Sequence, residues 1–170
     1  FTRYLKMALI LGLISAIGPF AIDMYLPALP DIGQSLGAEV GQVQLTLTVF
    51  FLALGSGQLL YGPVSDMVGR KPPLYFGLGI FVLASIGCAL TTDVQTLITL
   101  RFIQGFGAAA AMVIPRAVVR DLHTGTEAAR MMSLLMLVFS VSPILAPLAG
   151  SGVIAVTGWR GVFWCVALAA

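Results

Sequence analysis

Five apolar runs, each about as long as a bilayer is thick, follow one another along this chain and leave few folds open to it. A helix rises 1.5 Å per residue, so about 20 apolar residues cross a hydrocarbon core about 30 Å thick. The runs are 5–26, 43–61, 74–90, 94–118 and 131–156, and a sixth begins at 161–170. Without water in the hydrocarbon, each run must satisfy its own backbone hydrogen bonds, which predicts helices and not open strands. The expected fold class is therefore all-α, a polytopic membrane protein. Of the 170 residues, 59% are hydrophobic and 9% charged. One small soluble core could not bury so much apolar surface, and disorder is excluded by the same figures.

The chain opens with Phe1 and stops inside an apolar run, which reads as a piece of a longer protein. The first run exceeds the 7 to 15 residues of a secretory h-region, so it is expected to stay as a spanning helix. Nine basic and seven acidic side chains leave a formal charge of +2. Nucleic acid needs a concentrated basic face and is not an expected partner; membrane lipid is. Arg3 and Lys6 precede the first span, Arg70 and Lys71 follow the second, and Arg116, Arg120 and Arg130 flank the loop after the fourth. The alternate loops carry Asp31, Glu39 and Asp93, with Arg160 as their only base. By the positive-inside rule the N-terminus is cytoplasmic, and the hairpin from Pro27 to Gln42 faces outward.

Two ionisable residues fall inside spans, Asp23 and Arg101. A charge in hydrocarbon costs about 2.5 to 3.5 kcal/mol on insertion scales, so such groups face a partner or a polar cavity. Counting along the helices sets Asp23 about 6 Å and Arg101 about 9 Å inside the outer boundary. At similar depth they either meet or share a cavity; a purely structural pair and a proton-linked pair both remain open. Arg101, Gln104, Gly105 and Ala108 recur at three- and four-residue spacing, so they share one helix face, polar at one end and small at the other. Pro19, Pro143 and Pro147 interrupt two spans and are expected to kink them.

Between the second and third spans stands Gly62-Pro63-Val64-Ser65-Asp66-Met67-Val68-Gly69-Arg70-Lys71. Gly62 and Gly69 suit a tight turn, and Asp66 and Arg70 are spaced to pair. The segment reads either as a latch or as a charged turn that fixes topology. Phosphate binding is disfavoured, because no strand precedes it and the lysine-serine/threonine ending is missing. Cys88 and Cys165 lie inside apolar runs, where a thiol is a small hydrophobe without redox or metal duty. The one histidine, His123, has no nucleophile or metal-ligand cluster around it, so the expectation is no enzyme, no metal and no cofactor.

The stretch Gly62-x-x-x-Asp66-x-x-Gly69-Arg70-Lys71 resembles the cytoplasmic signature loop of the major facilitator superfamily, and Arg101-x-x-Gln104-Gly105-x-Gly107 is similar to its fourth-helix motif. Asp23-Met24-Tyr25-Leu26-Pro27-Ala28-Leu29-Pro30 resembles the end of the first helix in drug:proton antiporters of the bicyclomycin-resistance type, and Gly158-Trp159-Arg160 fits as well. In the fifth helix those exporters carry glycine-proline where this chain has Ala146-Pro147, followed by Gly150. The resemblance implies the N-terminal six-helix bundle of a twelve-helix transporter, truncated within its sixth helix, in a bacterial inner membrane. It further implies that Asp23 is linked to protons or substrate, that Arg101 with Gln104 tunes that protonation, and that Pro143, Pro147 and Gly150 shape the fifth helix. Gly62, Asp66, Gly69, Arg70 and Lys71, joined by Arg120 and Asp121, would latch against the missing C-terminal half; local salt bridges are the alternative for the last two. The implied function is proton-coupled export of drugs or small amphipathic metabolites. An uptake symporter on the same scaffold and a non-transporting receptor or scaffold are the alternatives.

Overall fold

A computed structural model describes residues 2–170. It is built of helices, and no strand occurs among the described residues. Helix α1 (Thr2–Asp23) ends at a turn and a single 3-10 turn, Leu26–Ala28, before the short α2 (Leu29–Leu36). Then come α3 (Val40–Val68), α4 (Lys71–Leu90), α5 (Val94–Leu122), α6 (Gly125–Thr157) and α7 (Trp159–Ala169). The α1 segment, α3, α4, α5 and α6 are long and apolar enough to cross a membrane. The all-α class is thus as expected, each apolar run falling mostly within a helix.

Local chemistry sets the ends. Asp93 caps α5, accepting the Thr96 N–H at 2.9 Å and the Thr96 hydroxyl at 3.1 Å. These donors, the backbone N–H of Thr96 first, hold the Asp93 carboxyl below the usual carboxylate range. Glu39 and Gln42 form a reciprocal capping box on α3. Pro72 and Pro73 sit in the first turn of α4, where a missing N–H costs nothing.

Helix α5 is the axis of the bundle, packed against α3, α4 and α1. Its residues Ala108, Ala109, Ala110 and Ala111 are all fully buried. Small side chains let backbones approach closely where lipid supplies no hydrophobic drive between helices. A Cβ on Gly105 would strike the carbonyl oxygen of Phe50 in α3, and one on Gly107 would stand 2.6 Å from the Gly77 oxygen in α4. Helix α6 lies mainly along α1. There Gly150 meets the turn after α1, its would-be Cβ 2.5 Å from the Met24 oxygen.

Two expectations need correction. The expected hairpin from Pro27 to Gln42 is largely helical, because Pro30 fits the first turn of α2 and Gly37, at φ +60°, closes it. Gly62 is not in a turn: α3 runs on through Gly62 and Pro63 to Val68, and the reversal is confined to Gly69 (φ +91°) and Arg70. Several helices extend beyond their apolar runs; α6, for example, begins at Gly125. Pro19, Pro143 and Pro147 all lie inside continuous helices. Ending a helix in hydrocarbon would strand several backbone groups, whereas continuing past a proline strands one.

Candidate functional site

Arg101 is fully buried, the largest side chain to be so. Its guanidinium carbon lies 4.1 Å from the ring centre of Tyr25, 4.2 Å from that of Phe50 and 6.0 Å from that of Phe163. The rings come from the turn after α1, from α3 and from α7, so three elements converge on one side chain of α5. Gly105, one turn along, lets the α3 backbone come close at Phe50 and thereby sets that ring against the cation. Aromatic faces attract a desolvated cation by about 2 kcal/mol.

The polar contacts run in one direction. Arg101 Nη1 donates to Gln104 Oε1 at 2.6 Å and, at 3.5 Å, to the carbonyl of Ala21. Since arginine can only donate, the glutamine oxygen must face it and the amide nitrogen must point away. That nitrogen donates to Ser85 Oγ of α4 at 2.8 Å, and Ser85 donates to the Phe81 carbonyl at 2.7 Å. Arg101 Nε and Nη2 have no partner. The common face of Arg101 and Gln104 is therefore present as expected, and it closes on α4 through a serine that the sequence did not single out.

Asp23 is the last residue of α1 and is half-buried. It does not meet Arg101: no ion pair joins them, and Arg101 reaches the Ala21 carbonyl instead. The turn that follows Asp23 swings Tyr25 over the guanidinium.

At the far end of α5 the charges of the loop after α3 come together in one cluster. Arg70, preceding α4, pairs with Asp66 of α3 at 2.5 Å and with Asp121 of α5 at 2.7 Å through Nε and 3.2 Å through Nη2. It also donates to Ser65 Oγ at 2.7 Å. Hydrogen bonding to Asp121, seconded by Asp66, raises the Arg70 pKa above its ordinary value, so the cation is permanent. Lys71 and Arg120 are exposed and form no ion pair. Asp121 thus joins Asp66 and Arg70 in one cluster, and Arg120 forms no ion pair among the described residues. Because the cluster is partly solvated, salt will screen it. Arg70→Gln will lower the melting temperature of the purified protein at low ionic strength, and the gap to wild type will narrow by about 0.5 M NaCl; a salt-independent gap would show that the cluster works through packing.

Pro143 is exposed, Pro147 half-buried and Gly150 buried against Met24. Of this group it is the glycine, not the prolines, that touches the Asp23–Tyr25 turn. Tyr25 lies in the motif at the end of the first span, but its place over Arg101, like those of Phe50, Phe163 and Ser85, is not signalled by the sequence, where each looks like any other apolar or small residue of a spanning run.

A family model described as the Major Facilitator Superfamily matches residues 11–170. Among curated relatives, an uncharacterized MFS-type transporter of Bacillus subtilis is 43% identical over 161 residues, covering 94% of this chain and 40% of its own length. A bicyclomycin resistance protein homolog of Haemophilus influenzae is 36% identical over 160 residues, with 94% and 40% covered. A chloramphenicol resistance protein of Pseudomonas aeruginosa is 38% identical over 156 residues, with 91% and 37% covered. The chain spans about two fifths of the length of these relatives.

Proposed function

Because the chain belongs to the major facilitator superfamily, we propose that it is the N-terminal bundle of a twelve-helix transporter in a bacterial inner membrane, its N-terminus cytoplasmic, exporting drugs or small amphipathic metabolites in exchange for protons. The observation that carries this reading is the wholly buried Arg101, which has no counter-ion among the described residues, on a helix packed against the one that ends at the half-buried Asp23. A cation kept in an apolar bundle without a paired acid is costly to a structure that only needs to stand. It is useful where a nearby carboxylate must change charge. A proton on Asp23 would neutralise it and weaken its attraction to Arg101 or to a cationic substrate, which biases the bundles between inward- and outward-open states. The cluster of Asp66, Arg70 and Asp121, with Gly69 at its turn, would brace this bundle where the C-terminal half closes on it, and Lys71 and Arg120 are free to meet that half. Resistance names among the relatives support an amphipathic drug as substrate.

The test is direction and coupling. Everted vesicles holding the whole protein and energised to an acid interior should accumulate chloramphenicol or bicyclomycin, and a protonophore should collapse the accumulation. Outward flux driven by the same gradient would favour uptake symport. Flux indifferent to the protonophore would remove proton coupling from the reading.

A further inference from the structure

Arg101 is held in place by a residue pair that the motif around it does not contain. The Tyr25 hydroxyl lies 2.6 Å from Thr46 Oγ1, and Thr46 donates its own proton to the Val43 carbonyl at 2.5 Å. A threonine hydroxyl has one hydrogen, so Tyr25 is the donor in the first of these bonds. Both residues are fully buried. The Tyr25 ring is thereby fixed to α3, and it leans on Phe163 of α7 at 5.6 Å between centroids. Its face is the nearest aromatic surface to the guanidinium.

Resting on the function proposed above, we infer that Tyr25 and Thr46 are positioning residues which hold the Arg101 guanidinium away from Asp23. Tyr25 lies two residues beyond Asp23 in a turn, so one short segment carries both the carboxylate and the ring that restrains its partner. Arg101 retains two unpaired donors, Nε and Nη2, and these are the groups a carboxylate would engage if the ring let go. The titratable groups facing Arg101 are Tyr25 itself and Cys88 of α4; α3 and α7 present Phe50 and Phe163, which do not titrate.

Loosening the pair should let the guanidinium approach Asp23, and a nearby cation favours the ionised carboxylate. More acid is then needed to load the proton. The test follows gradient-driven export of chloramphenicol, bicyclomycin and ethidium by the whole protein in vesicles, as a function of the pH on the proton-entry side. Tyr25→Leu should move the acid limb of the profile down by about one pH unit. Tyr25→Phe and Thr46→Val, which spare the packing, should each move it the same way by less. Their double variant should move it no further than either alone, because both remove one hydrogen bond. An unmoved midpoint in all of these, or additive shifts, overturns the inference. If Tyr25→Leu does not fold, the two conservative variants decide. Export that loses its proton dependence in Asp23→Asn while the Tyr25 and Thr46 profiles stay unmoved sinks this inference alone. Export of none of the three probes by wild type sinks the reading it rests on.

Discussion

Valine at position 107 will leave little folded protein. Gly107 is where α5 crosses α4: a Cβ there stands 2.6 Å from the Gly77 oxygen, 2.7 Å from the Phe81 nitrogen and 3.0 Å from the Phe81 Cα. All three obstacles are backbone, so no rotamer can move aside. Gly77 faces the same crossing, its would-be Cβ striking the Ala110 methyl. Parting these helices would also pull Ser85 from Gln104 and undo the polar chain that ends on Arg101. Overpacking a close-packed site costs about 1 to 3 kcal/mol, and a rigid obstacle on several sides belongs at or beyond the upper end. In a fluorescent-fusion size-exclusion assay, Gly107→Val should keep less than about a tenth of the wild-type monodisperse peak. Gly79→Val is the control, since a Cβ at Gly79 meets nothing within 4 Å. Equal loss in both would mean that valine itself, and not the crossing, is at fault.

The second large effect is expected at Asp23. Of the seven acidic residues, Asp31, Glu39, Asp66, Asp93, Asp121 and Glu127 lie at helix ends or between helices, and only Asp23 falls inside one of the apolar runs. Asparagine has nearly its shape and remains neutral at every pH, so Asp23→Asn imitates the protonated state permanently. Uphill export driven by a pH gradient should fall to the background of transporter-free vesicles. Energy-independent exchange of substrate across the membrane should persist, because the bundles can still rock about a neutral residue. The protein should remain inserted at wild-type level. Undiminished uphill export would show that the proton is carried elsewhere.

What could be read from the residues and what could not have different physical origins. Span number followed from hydropathy because lipid imposes one length on every crossing. The shared face of Arg101 and Gln104 followed from helical periodicity, a local property. The aromatic surroundings of Arg101 were illegible for the opposite reason. Tyr25, Phe50 and Phe163 stand far apart in the chain and on separate elements, and nothing about an aromatic residue in an apolar run says which neighbour its face will find. Asp23 and Arg101 were placed at similar depth by counting residues. Depth alone cannot tell that the turn at Met24 and Tyr25 sends the ring, and not the carboxylate, to the guanidinium. Gly62 misled because glycine beside proline usually marks a turn. Here the helix persists past both, and the reversal waits for Gly69. Asp66 and Arg70 pair as their spacing foretold, but Asp121, 51 residues further on, completes the cluster and no local pattern announces it.

The buried guanidinium also bears on how readily another cation could enter the bundle at its depth. In the polar chain beside it, Gln104 gives an amide hydrogen to Ser85 and Ser85 gives its only one to the Phe81 carbonyl. A hydronium ion entering this layer would meet a like charge in a medium of low permittivity, where repulsion is only weakly damped. At this layer the α4–α5 seam is therefore a poor path for a second cation.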